Sequence, residues 1–492
     1  MFTPMPQLTS EISLDGSSPP VVHIPREIRL SSKANEVYSA ALDEHGPVII
    51  VPRHGRDEYI IDHRYAHEVL TGAKNFIFET AVFDMIHLGF LAVFGSRTFV
   101  HDVDHLVGGE MQPRMNAIID QIVPVFQEYF DSMADSVRNL TSDRKFVEIP
   151  DVYHRLQLAV AHAMVVMILG QEHASSKTAG HFAAVATGMI EMTGLHANTH
   201  SWDMFPRLWV LYTALYAVLF TIIPSFFFTL APLLWRSRKE HLANGLAARH
   251  SEFVPLFDIL LAKHYHGKSG LSAIRGFLQS STLCVGIIFA SIHQTVVAGS
   301  WILVKLTQTQ HEYLPAIRKE WESANISGDS LNVKKLNQLT LLDSFIREVL
   351  RTKGDSWGPV RETSRAIRVG PYVLPKNAIC LVLLSRAHTH YDNYGAGGEI
   401  FDGFQWQKAG RRASQASPDF LTFGLGRWAC PGRQLAIHEI KIMLYMLFSA
   451  FEFELKENSL RIIDPMNTTS IAPEATLLLR LRQGDDDLGK VA

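Results

Sequence analysis

The sequence predicts a mainly α fold with a small β region. From about residue 110 to residue 350, apolar side chains recur at helical spacing, as in MNAIIDQIVPVFQEYFDSMADSVRNL and LQLAVAHAMVVMILG. Strand-like runs are confined to the two ends, at 46–62 and beyond Gly358. Strands and helices therefore do not alternate along the chain. That order argues against a parallel α/β sheet and for one α-rich unit carrying a small sheet.

Taken in order, residues 1–22 read as a loose leader and 23–492 as a single domain. A helical pattern runs from about Arg26 to Glu44. GPVIIVPRHGRDEYIID then offers two short strands, Val48–Val51 and Tyr59–Ile61, with a turn at Gly55. Asp62 is placed to cap the following HRYAHEVL. After Gly358 come AIRVGPYVLP, AICLVLL and finally ATLLLRLR, all strand-like. MFTPMPQLTSEISLDGSSPP lacks a long apolar run, so neither a signal peptide nor an N-terminal anchor is expected there. An internal segment, 208–235, carries no charge between Arg207 and Arg236. It exceeds the roughly 20 residues that span a bilayer, but Pro224 and Pro232 interrupt it. A hairpin or a monotopic contact with a membrane surface is as compatible as a span.

The composition is that of a folded chain, 47% hydrophobic and 19% charged. A net charge of −3 gives no electrostatic case for nucleic acid as a partner. Three cysteines, Cys284, Cys380 and Cys430, are too few for a disulfide framework and fit a reducing, cytosol-facing environment. His264-x-His266 and His388-x-His390 are potential chelates, but no cysteine or carboxylate cluster completes either at the usual spacing. There is no phosphate-binding glycine loop, no Gly-x-Ser-x-Gly elbow, and no flavin or nicotinamide domain pattern.

The chemistry concentrates in Phe423-Gly-Leu-Gly-Arg-Trp-Ala-Cys430-Pro-Gly, followed by the helical run RQLAIHEIKIMLYMLF. A cysteine in a tight turn at a helix N-terminus meets unpaired N–H groups that favour a thiolate. The glycines allow close approach to a flat ligand. This stretch resembles the haem-binding signature of the cytochrome P450 family, Phe-x-x-Gly-x-x-x-Cys-x-Gly, at Phe423, Gly426, Cys430 and Gly432. LLDSFIREVLR places Glu348-x-x-Arg351 upstream, on one helix face, and resembles the family's structural clamp. LCVGIIFASIHQTVV resembles the helix crossing the distal face of the haem. KLNQLTLLDSF, Phe401-Asp-Gly-Phe404 and Arg433-Gln-Leu-Ala436 resemble the fungal branch in particular.

The resemblance implies the cytochrome P450 fold, with haem b as cofactor and Cys430 as the iron ligand. It implies a monooxygenase for an apolar small molecule, a secondary metabolite such as a terpenoid or polyketide. NADPH electrons would arrive through a separate cytochrome P450 reductase. The chain would face the cytosol in association with the endoplasmic reticulum membrane. Ala290, Ser291, Val360 and Ile471 would line the substrate pocket, within wider stretches Ser356–Val360 and Ser470–Pro473.

Several positions depart from the family pattern. The usual distal acid and threonine are His293 and Gln294, with Thr295 following; these three are the candidate catalytic residues. Trp428 replaces a basic residue two positions before the cysteine, leaving Arg427 or Arg361 to meet a haem propionate. Gln405 stands where the third clamp member is expected. Such changes fit either a monooxygenase that has drifted, a reductase-independent isomerase, dehydratase or cyclase, or a noncatalytic haem-binding sensor.

Overall fold

The computed structural model describes residues 16–25, 34–53, 56–86, 98–140, 145–149, 151–192, 230–244, 253–326, 331–353, 357–462 and 470–482, with scattered positions between 208 and 224. Five long helices build the core: Met115–Leu140, Val152–Leu169, Ser176–Met192, Gly270–Gln308 and Arg433–Ala450. Phe126, Met164, Phe182, Ile288, Val296 and Phe448 from these helices join one buried apolar cluster. Gly270–Gln308 is the axis of the molecule. Its 39 residues span about 58 Å at the α-helical rise. Val152–Leu169 and Gly270–Gln308 are apolar enough to cross a membrane, but 67% of each apolar window is buried within the protein. They are core helices.

The described strands form three small sheets. The largest has five strands: β1 (Val48–Arg53), β2 (Arg56–Ile61), β3 (Phe76–Ile77), β5 (Trp357–Thr363) and β8 (Ile379–Leu383), in the order β1-β2-β8-β5-β3. Only β2 and β8 run parallel. Successive side chains of a strand point to opposite faces, and both faces here are apolar. Ile49, Val51, Ile60 and Leu381 pack into one cluster, while Val48, Ile50, Ile61 and Val382 pack into another. This explains why VIIV and ICLVL are continuously apolar rather than alternating. A second sheet joins β4 (Val147–Ile149), β10 (Leu477–Leu481) and β9 (Phe451–Leu455), and β6 (Ile367–Val369) with β7 (Tyr372–Leu374) makes a hairpin. The mainly α architecture with its β region split between the chain ends is as expected.

Two local expectations change. Residues 16–22 are not loose: Val22 N–H donates to Ile50 O at 2.8 Å and Ile50 N–H to Pro20 O at 2.9 Å. The leader therefore docks on Tyr372–Leu374 at Ser17 and on β1 at Pro20–Val22, and residues 1–15 lie outside the described residues. Pro232 does not break a helix. It sits in the first turn of Ala231–Asn244, where its missing N–H costs nothing. Within 208–235, the described Leu208, Leu211, Tyr212, Leu215, Tyr216, Leu219 and Phe220 are each 51–68% exposed.

Candidate active site

Cys430 is held by backbone hydrogen bonds. Its N–H donates to Phe423 O at 2.7 Å, Gly424 N–H to Leu421 O at 2.8 Å, and Ala429 N–H to Gly426 O at 3.2 Å. Gly424 and Gly426 have φ of +73° and +71°, a region that side chains disfavour. A Cβ on Gly426 would also sit 3.0 Å from Thr71 Cγ2 and 3.2 Å from Leu70 O. The glycines thus serve the turn and its packing on the neighbouring helix Ala66–Thr71, whatever they leave open for a ligand. Gly432 precedes the helix Arg433–Ala450. Gln112 buttresses the loop, donating to Pro431 O at 2.9 Å.

Cys430 is exposed while Cys284 and Cys380 are buried. Yet burial pushes the Cys430 thiol up, against the opposing pull of the Gly432 and Arg433 N–H groups and the Arg433 charge. A sulfur that is open yet surrounded lines an internal space. Desolvation thus opposes the helix end at this sulfur, and a bound cation would favour the thiolate.

Glu348 and Arg351 lie on Thr340–Thr352, whose first-turn Leu341 and Leu342 N–H groups are capped from outside by Glu320, at 2.6 and 3.1 Å. Both side chains are fully buried and bidentate, at 2.8 Å (Nε to Oε2) and 2.6 Å (Nη2 to Oε1). Arg351 also donates to the carbonyls of His388 (2.8 Å), Ile400 (3.1 Å) and Gly398. Gln405 makes no hydrogen bond to Glu348 among the described residues. Its neighbour Trp406 does, through Nε1 to Oε2 at 2.8 Å, and Asp402 N–H donates to Oε1 at 3.1 Å. The third clamp member is thus Trp406, one residue beyond the expected position. Gln405 opens the short helix Gln405–Ala409, and the next position turns inward.

His388 connects this clamp to the cysteine loop. Its Nε2 accepts from Leu421 N–H at 2.8 Å, leaving Nδ1 to donate to Arg351 O at 3.2 Å. It is committed to structure and cannot chelate with His390.

The long helix is buried through most of its middle, with Ala290 and Gln294 exposed and Ser291 half-buried. Positions i and i+4 share a face, so this face opens onto a space inside the molecule. The two neighbours expected with Gln294 point elsewhere. Thr295 is buried. His293 is buried, with Nδ1 2.8 Å from Tyr153 Oη and Nε2 3.2 Å from Ser470 O. A carbonyl only accepts, so Nε2 donates and Nδ1 accepts the Tyr153 proton; burial keeps that phenol protonated. Ile471 is half-buried and its carbonyl accepts from Trp301 Nε1 at 2.8 Å. The 470–471 segment is therefore latched to the helix at two points. Val360 packs into the apolar cluster on the sheet with Ile60 and Leu381, so its side chain serves the sheet core rather than the expected pocket.

The next residue on β5, Arg361, points the other way. It is fully buried, stacks over Phe78 with 5.0 Å to the ring centre, and donates only to carbonyls, of Val360 (2.9 Å) and Leu70 (3.1 Å). Burial lowers its pKa to about 10, against the opposing pull of the Glu79 carboxylate. Arg427 instead pairs with Asp104 at 2.7 Å. Trp428 stacks on Phe78 (5.3 Å) and meets His101 edge-on (5.0 Å).

The cytochrome P450 family model matches residues 23–479. The chain belongs to the cytochrome P450 family. Among curated relatives, cytochrome P450 monooxygenase 3 of Gibberella fujikuroi is 29% identical over 46% of this chain and 48% of its own. A cytochrome P450 monooxygenase of Penicillium fellutanum is 27% identical over 54% and 64%, and beta-amyrin 11-oxidase of Glycyrrhiza uralensis is 28% identical over 35% of each. The chain spans less than two thirds of each of these relatives. The solved structure of retinoic acid-bound cyanobacterial CYP120A1 superposes over 95% of this chain and all of that one, with a TM-score of 0.65 at 16% identity. It shares the fold. Family membership makes haem b the expected prosthetic group, and the P450 site fits it. The open, surrounded Cys430 sulfur suits a ligand to the iron, whereas Arg361, expected from sequence at a propionate, is wholly covered by protein and bound to the Val360 and Leu70 carbonyls, so it does not line that space.

Trp406, His388 and the Asp104–Arg427 pair were not anticipated from sequence. Trp406 had a signal, a tryptophan beside the expected clamp position. The other two join residues 33 and 323 positions from their partners, Leu421 and Asp104, with no periodic pattern between.

Proposed function

We propose that this P450 is a haem-thiolate monooxygenase that oxidises an apolar small molecule, of the terpenoid or polyketide class of secondary metabolites. The observation that carries the reading is the open sulfur of Cys430 in a family-typical loop. When bound, haem b supplies an iron whose thiolate ligation favours O–O cleavage. Cys430 would hold the metal, and the clamp would fix its loop through His388. On the distal side, Ala290 leaves room for substrate, and the Gln294 carboxamide can orient water by donating and accepting hydrogen bonds. NADPH electrons reach it through a separate reductase.

The test is the carbon-monoxide difference spectrum of the haem-loaded protein, reduced by dithionite and, in parallel, by NADPH with a fungal reductase. A thiolate band with both reductants supports the reading. Absence of that band with both reductants removes Cys430 ligation and the reading with it. A second reading, a reductase-independent isomerase, dehydratase or cyclase, is favoured by one observation. His293 is turned away, so the described open turn presents no ionisable side chain for proton delivery. A band with dithionite alone, across several reductases, would select it.

Membrane contact through 208–235 is part of the proposal. Seven described apolar residues from Leu208 to Phe220 recur at i, i+3 and i+4 and stay exposed, an arrangement that suits a lipid surface. Family resemblance would place that surface at the endoplasmic reticulum with the active site facing the cytosol. Vesicle flotation would check it: Leu215→Asp with Phe220→Asp should release the protein, and unchanged flotation would remove this segment from the contact.

A further inference from the structure

His390, dismissed as a chelate with His388, has other company in the fold. His63 follows β2, and His390 precedes the short helix Tyr391–Tyr394. Their rings lie 4.4 Å apart, centre to centre. Asp392 reaches both: its Oδ2 is 3.3 Å from His390 Nδ1 and 3.7 Å from His63 Nε2. One donor atom from each of the three falls within 4.8 Å of the others. A tetrahedral ion with bonds of about 2.0–2.1 Å separates its donors by roughly 3.3 Å. Two of the three pairs need no more than about 0.4 Å of adjustment to meet that spacing.

The second observation is His63 itself. Its side chain is 4% exposed, yet Nε2 makes no hydrogen bond among the described residues. A buried ring nitrogen without a partner is costly. On the other edge, Nδ1 lies 3.0 Å from Asp62 Oδ1. A carboxylate behind a histidine, with the far nitrogen directed at other donors, is the arrangement that orients metal-binding imidazoles. The local charge permits a cation. The Arg386 guanidinium is paired with both Asp43 and Asp62, and Arg64 with Asp62 at 2.9 Å. Asp392 is 56% exposed, which leaves an entry path and a position for water. Binding would replace one weak contact, the 3.2 Å cap from Asp392 N–H to His390 Nδ1.

We propose that His63, His390 and Asp392 bind one divalent transition-metal ion of the zinc class, with water completing a tetrahedron. Two imidazoles and a carboxylate suit zinc. The ion pins the end of β2 to the segment that follows His388, and so braces the clamp from behind. It takes no part in the haem chemistry, and the proposal does not depend on it.

The experiment uses untagged, haem-loaded protein dialysed against buffered zinc chloride, with zinc per haem measured by atomic absorption. One zinc per chain is expected, with X-ray absorption at the zinc edge showing only nitrogen and oxygen neighbours at about 2.0–2.1 Å. His390→Ala should weaken binding at least ~10-fold, and Asp392→Asn, at a half-exposed site, should weaken it too. Both variants should keep the carbon-monoxide spectrum of the parent. His173→Ala, in the separate Glu172–His173–Glu240 cluster, should leave the zinc in place. No bound zinc, a sulfur neighbour, zinc retained in His390→Ala, or zinc lost in His173→Ala overturns the assignment.

Discussion

The Cys430 loop and the clamp behind it are tied by many buried hydrogen bonds, whereas the turn 290–294 of the long helix presents an open face with few. On the cysteine side, Glu348 takes hydrogen bonds from Arg351, Trp406 and the Asp402 backbone, and His388 passes that rigidity to Leu421. On the opposite side, Ala290 and Gln294 are exposed, and the polar neighbour His293 is spent on Tyr153 and Ser470. The contrast separates two tasks. Holding a metal ligand in one geometry needs redundant, buried hydrogen bonds. Accepting an apolar substrate needs space and few polar groups left unpaired.

If the cysteine side works as one unit, losing its ligand should be the most damaging change. Cys430→Ser should abolish the thiolate-type carbon-monoxide band and all turnover; a surviving band would remove Cys430 as the ligand. Glu348→Ala should follow, at about 3–5 kcal/mol, because it strands a buried guanidinium. Trp406→Phe should cost about 1–3 kcal/mol by removing one buried donor, while Gln405→Ala should stay within about 0.5 kcal/mol. Denaturant unfolding of the haem-loaded variants measures all three. Equal losses for Trp406→Phe and Gln405→Ala would return the third clamp position to Gln405.

The cysteine helix also stores a buried acid. Burial raises the Glu439 carboxyl from 4.5 to about 8. The folded chain keeps this proton where the unfolded chain has lost it. The resulting stability is complete below about pH 4.5 and is lost as pH rises toward 8. His438 acts with the opposite sign, since burial lowers it from 6.5 to about 4. Its contribution to the slope ends near pH 6.5. Between pH 6.5 and 8 the thermal midpoint should therefore fall in the parent and fall less in Glu439→Gln. Parallel slopes would show that Glu439 is already ionised in the fold.

The two sides also differed in how far the sequence revealed them. Phe423, Gly426, Cys430 and Gly432 were readable because a loop around a metal ligand fixes residue type at each step. Glu348 and Arg351 were readable because i and i+3 share a helix face. Trp406 was missed because the chain turns inward one residue later than the pattern suggests. Opposite Cys430, a helical run located the open turn but not its rotation. Gln294 and Thr295 are adjacent, yet one faces the space and the other the core, since consecutive residues are about 100° apart on a helix. His293 was assigned by chain position, and only the fold shows Tyr153 and Ser470 claiming it from 140 and 177 residues away.

Gln294 is where the open side can be tested with least disturbance. Its side chain is exposed and makes no hydrogen bond among the described residues, so Gln294→Thr should change stability by no more than about 0.5 kcal/mol. Its effect should be kinetic. A hydroxyl relays a proton through water more readily than a carboxamide. If proton delivery limits monooxygenation, the variant should speed product formation and raise the share of NADPH consumed that appears as product, with the carbon-monoxide spectrum unchanged. The rise should vanish when His293→Ala is added only if His293 also feeds protons, which its two fixed partners argue against. An unchanged rate and coupling in Gln294→Thr would mean that the open turn does not control proton delivery, and would shift weight to the reductase-independent reaction.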